Sequence, residues 1–136
     1  MKNALVASIF TVLLPLLSSS QTPKADPPPG PIKLLPGYQH KTERGIDTAV
    51  GRIWKEGGTT ITYDIGIYAG LEIRPDQQDR NAWYKEQTIN NQTVRMVLTK
   101  ERALKVEFVE RHATFLALVP KEEDLADALL MILTYR

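Results

Sequence analysis

The stretch Gly51–Gly66, GRIWKEGGTTITYDIG, constrains the fold more than any other part of the chain. It reads as two strands joined by a two-residue loop at Gly57-Gly58, where glycine adopts the positive φ such a loop demands without steric cost. In the second strand Ile61, Tyr63 and Ile65 alternate with Thr60, Thr62 and Asp64. That period of two belongs to a sheet covered on one side. An isolated hairpin is marginal in water, so the rest of the chain must supply further strands and a cover for the apolar face.

Further strands are legible downstream. Trp83–Ile89 and Thr93–Thr99 flank Asn90-Asn91-Gln92, a turn in which asparagine tolerates left-handed backbone angles, with Val94, Met96 and Leu98 facing inward. Ala103–Arg111 alternates Leu104, Val106 and Phe108 with charged residues, and Thr114–Val119 is a short apolar run after a turn at His112-Ala113. A short helix opening near Thr99 is an alternative for Leu104, because a capping residue there precedes charged followers. Tyr68–Ile73 continues or bends the second hairpin strand, Arg74–Asn81 is a solvated loop, and Tyr38–Val50 is polar enough to read as a loop with at most one helical turn.

The chain ends in a helix. Pro120 stands at or near its first position, Glu122, Glu123 and Asp124 favour the positive end of its dipole, and Leu125, Leu129, Ile132 and Leu133 form one stripe widened by Ala128 and Met131. The expectation is an α+β fold, an antiparallel sheet of about five to six strands with the C-terminal helix packed on one face. Residues 38–136 form a single domain in this reading.

The start of the chain has a different character. Lys2 precedes an apolar core from Ala4 to Leu17, shorter than the roughly 20 residues of a spanning helix, and the small residues Ser18 and Ser20 suit cleavage before Gln21. Residues 1–20 are therefore expected to be a signal peptide and residues 21–37, rich in proline, a tether. Ile32, Leu34 and Leu35 mark where the chain begins to touch the domain. The protein is expected outside the cytoplasm, periplasmic or secreted, with no integral membrane segment after cleavage. There is no cysteine, so packing rather than disulfides must hold the domain together, which leans towards a bacterial source. Lys2 alone accounts for the formal charge of +1, and interspersed charges downstream argue against nucleic acid as a partner.

The phrases LPGY at 35–38 and YDIG at 63–66 resemble those of uncharacterised exported bacterial proteins. The element order, with a Pro-rich leader and a terminal helix on an antiparallel sheet, is similar in outline to PsbP and Mog1-like domains. That resemblance implies a two-layer α+β fold over residues 35–136 and transfers no functional residue.

Chemistry is restricted by what the chain lacks. Every serine (Ser8, Ser18, Ser19, Ser20) lies in the leader, which removes Ser and Cys nucleophiles from the remainder. His40, read as a loop residue, and His112, read as an exposed turn residue, have no metal-ligand spacing, and Gly57-Gly58-Thr59-Thr60 lacks the lysine of a phosphate loop. No catalytic residue, metal site or cofactor is assigned. Trp54, Trp83 and Tyr84 are the candidate binding residues, for a protein, peptide or carbohydrate ligand. The function expected is a non-catalytic binding or interaction module. The alternative is a small glycosidase-type hydrolase that draws two carboxylates from Asp64, Glu72, Glu86 and Glu107 into a cleft.

Overall fold

The computed structural model describes residues 30, 32–67, 69, 73 and 78–136. The expected signal peptide, most of the tether, and much of the stretches read as a strand continuation at 68–73 and a loop at 74–81 lie outside the described residues. Among the described residues, no helix is long and apolar enough to cross a membrane.

Among the described residues, seven strands form one antiparallel sheet: β1 (Gln39–Glu43), β2 (Ala49–Trp54), β3 (Thr60–Ile65), β4 (Asn81–Ile89), β5 (Gln92–Thr99), β6 (Ala103–Phe108) and β7 (Ala113–Leu118). Helix α1 (Glu122–Ile132) follows. The strand order is β1-β2-β3-β7-β6-β5-β4, two meanders joined where β7 pairs with β3. The sheet therefore has seven strands and not the five to six expected. The extra strand is β1, in the polar segment read as a loop. It is an edge strand that buries only His40, so it shows no apolar alternation.

The β2–β3 turn is longer than the two residues expected. Trp54 pairs with Thr60, which leaves Lys55–Thr59 as the loop. The Gly58 N–H donates to the Lys55 carbonyl at 3.0 Å and Gly57 alone of the pair takes a positive φ, 72°. Thr59 is drawn out of the strand because its hydroxyl donates to the Leu118 carbonyl on β7 at 2.7 Å. The other turns follow local chemistry. Asn90 and Asn91 both adopt left-handed φ, 51° and 61°, in a two-residue loop closed by the pair Ile89–Gln92. Thr99 caps a turn rather than a helix, its hydroxyl accepting from the Ala103 N–H at 3.1 Å.

One face of the sheet carries the core. Ile53, Ile61, Tyr63, Phe115, Ala117, Leu104, Val106, Phe108, Val94, Met96 and Leu98 are buried beneath α1, together with Ile32 from the segment before β1. The centre of the helix stripe is Ala128, Met131 and Ile132, with Leu125, Leu129 and Leu133 half-buried beside it and Leu130 61% exposed. Each large aliphatic side chain buried this way contributes about 1.5–3 kcal/mol. The Asp124 carboxylate accepts from the Lys121 N–H at 3.3 Å and closes the first turn, so Pro120 sits just outside the helix.

An aromatic chain crosses this core. Tyr135, beyond the helix, meets Phe108 and Phe115 edge-on at 5.0 and 5.4 Å, and Tyr63 continues the row. The Tyr63 ring lies over Gly51 of β2 and its hydroxyl hydrogen-bonds His40 Nε2 on β1 at 2.7 Å. His40 is thus a buried strand residue and not the loop histidine expected from its polar neighbours.

Candidate functional site

The register of β4 on β5 pairs Trp83 with Leu98, Lys85 with Met96 and Gln87 with Val94, which places Trp83, Lys85 and Gln87 on the core face. The helix does not extend over this margin of the sheet. A groove of about 370 Å³ remains between β4 and α1, lined by Trp83, Tyr84, Lys85, Gln87, Met96, Leu129 and Leu133. Its floor is Met96, its sheet wall the half-buried Trp83 and its helix wall Leu129 and Leu133. An apolar trough with a few polar groups at the rim is the ordinary composition of a ligand site.

Beyond Leu133 a second hollow of about 230 Å³ is lined by Lys33, Asn90, Leu133, Thr134 and Arg136. Leu133 is common to both. The two hollows present the cationic side chains Lys33, Lys85 and Arg136, and among the described residues no Asp or Glu lines either of them.

The structure brings Trp83 and Tyr84 to this groove and leaves Trp54 elsewhere. Trp54 is on the opposite face of β2, with the Arg52 guanidinium 5.1 Å from its ring centroid. Five strand spacings of about 4.8 Å separate β2 from β4, roughly 24 Å along the sheet. Tyr84 shares that opposite face, reaches the groove only at its rim, and donates its hydroxyl to Glu86 at 3.2 Å. Burial, then this bond to Glu86, pushes the Tyr84 hydroxyl above its ordinary range.

Of the carboxylates considered for hydrolysis, Asp64, Glu86 and Glu107 lie on the face away from the helix. Register carries one lateral row across it: Asp64, Thr114, Glu107, Arg95 and Glu86. Arg95 Nε donates to Glu86 at 2.9 Å and its Nη1 stands 3.7 Å from Glu107. The Arg95 hydrogen bond, followed by that of Tyr84, holds the Glu86 carboxyl below the usual range. A glycosidase general acid needs the reverse shift. Asp64 and Glu107 flank Thr114, two strand spacings or about 10 Å apart at the backbone. Glu72 is outside the described residues. Glu110, the carboxylate nearest in sequence to the exposed His112, accepts instead from the Thr93 amide and hydroxyl at 2.8 and 2.7 Å.

One polar cluster escaped sequence reasoning. The buried Tyr38 hydroxyl donates to Asp127 Oδ2 at 2.9 Å, Lys55 Nζ donates to the same oxygen at 3.3 Å, and the ammonium lies 4.7 Å from the Tyr38 ring centroid. Burial, then the hydrogen bond to Asp127, pushes the Tyr38 hydroxyl up to about 12. The cluster ties the segment before β1 and the β2–β3 turn to α1. These contacts make the cluster a clamp between the two segments and the helix.

No family model matches the chain, and comparison with curated proteins and with solved structures finds no match.

Proposed function

We propose that the protein is an exported, non-catalytic binding module whose ligand, a protein, peptide or carbohydrate, seats against Trp83 in the groove between β4 and α1. The supporting observation is the half-buried indole on an edge strand, faced across an apolar trough by Leu129 and Leu133. A large aromatic surface left beside open aliphatic groups gains free energy, about 25 cal/mol per Å² of apolar area, when a ligand covers it.

The chain holds two tryptophans, so Trp54→Phe leaves Trp83 as the sole indole reporter. In that background, peptides, oligosaccharides and the apolar dye anilinonaphthalene sulfonate are titrated against tryptophan emission. The groove reading expects saturable shifts that Leu133→Asp abolishes while the circular dichroism spectrum is retained. Emission that no probe moves sinks it.

The hydrolase reading rests on Asp64 and Glu107 flanking Thr114 in one row. Glycoside hydrolysis by the wild type that Asp64→Asn and Glu107→Gln each remove would favour it over binding alone.

A further inference from the structure

Resting on the groove reading above, we infer that the ligand is an extended acidic-apolar peptide segment of a partner protein, added to the sheet as a further strand along the edge of β4 that faces away from β5. Three features of the structure meet at this edge.

First, among the described residues β4 pairs on one side only, with β5, and its nine residues make it the longest strand of the sheet. The two-residue turn makes Ile89–Gln92 the first hydrogen-bonded pair of the ladder. Counting back in alternation, the amide and carbonyl groups of Tyr84, Glu86 and Thr88 point away from β5. Such a row is a template for another strand. The opposite edge, β1, is five residues long and carries Lys41 and Glu43 among its exposed residues.

Second, a strand laid about 4.8 Å beyond β4 sends alternate side chains over the same face as Trp83, Lys85 and Gln87. Those side chains enter the trough walled by Leu129 and Leu133. Apolar residues at every second position satisfy it. Backbone pairing supplies affinity and the alternate pockets supply selection, the division of labour in strand addition.

Third, the charge is one-sided. Lys85 stands within the trough, and Lys33 and Arg136 line the hollow beyond Leu133, with no acidic side chain among the described residues lining either. A carboxylate-bearing segment complements this surface and a basic one is repelled. Lys85 also discourages a second copy of this edge from pairing with it, since the two lysines would approach each other.

The test uses the full chain carrying Trp54→Phe and a short blocked peptide alternating leucine with threonine and ending in two glutamates. Two controls replace the glutamates by lysines, or methylate alternate backbone nitrogens while keeping every side chain. Tryptophan emission reads occupancy, and amide hydrogen exchange reads the backbone. The expected result is binding of the acidic peptide with slowed exchange at Tyr84, Glu86 and Thr88. Affinity falls at least about threefold for the lysine peptide and at least about tenfold for the methylated one. Lys85→Glu should reverse the charge preference. If the methylated peptide binds as well as the parent, or the three amides gain no protection, strand addition is wrong while the groove stands. If neither peptide nor anilinonaphthalene sulfonate moves the emission, the groove reading falls with it.

Discussion

Replacing Gly51 by alanine is the sharpest test of how the sheet is built. A Cβ there would fall on the Tyr63 hydroxyl and within 2.6 Å of the Lys41 carbonyl oxygen, closer than real Cβ atoms approach such groups. Neither obstacle yields easily. The carbonyl belongs to the backbone of β1, and the Tyr63 ring is stacked on His40, with ring centroids 5.7 Å apart, and packed against Phe115. The methyl therefore either pushes β1 off the sheet or displaces Tyr63 and breaks its 2.7 Å bond to His40. Losing one buried hydrogen-bond partner costs about 1–3 kcal/mol and overpacking a filled core about 1–3 more. The sum, about 2–6 kcal/mol, is a large part of the roughly 5–15 kcal/mol that holds a domain of this size together. Urea unfolding followed by circular dichroism should place Gly51→Ala in that range, with a fall in Tm above about 10 °C. Tyr63→Phe removes the hydroxyl and with it part of the clash, so the double variant should lose less than the two singles together by about 1 kcal/mol or more. A loss below about 1 kcal/mol for Gly51→Ala, or strict additivity in the cycle, would refute the reasoning.

The helix, the clamp and the asparagine turn each give a further expectation. Met131→Ala should cost about 2–5 kcal/mol in chemical unfolding because Met131 is fully buried, whereas Leu130→Ala, on the exposed side, should stay within about 0.5 kcal/mol. Tyr38 should be a late-ionising tyrosine in an ultraviolet titration of the folded protein. Its hydroxyl is pushed up to about 12, so its contribution to stability is full below about pH 10, where a free tyrosine begins to ionise, and is lost as pH rises towards 12. Tyr38→Phe should abolish that component, and Asp127→Asn should move it to lower pH. Asn91→Val should destabilise by about 1–3 kcal/mol, since a β-branched residue is forced to φ 61°, while Asn91→Gly should be tolerated in the same denaturation assay.

Much of the core was legible because it is written in short-range alternation. Ile61–Tyr63, Val94–Met96–Leu98 and Leu104–Val106–Phe108 each declare a covered face by period alone, and the terminal helix declares its stripe. Edge strand β1 was not legible, because a strand with one buried residue leaves no pattern in QHKTE. The buried state of His40 was hidden for the same reason. It depends on Tyr63 reaching across a side-chain-free residue of the intervening strand, a relation visible only once the β1–β2–β3 register is fixed.

The candidate site divides along the same line. Aromatic content singled out Trp83 and Tyr84, but it equally singled out Trp54, and nothing local to a tryptophan tells which face of which strand it occupies. The deciding facts are topological. β4 lies at one edge and β2 next to the other, and the helix is centred on Ala128, Met131 and Ile132, so Leu129 and Leu133 overhang the β4 margin. Met131 and Ile132 stand three and four positions after Ala128, and Ala128 is smaller and Met131 more flexible than the branched Leu129 and Leu133 on the flank. Ala128 lets the helix approach the sheet closely at that line, and Met131 fills the irregular space beside it. The two larger leucines are left on the open side, where they complete the wall that Trp83 faces.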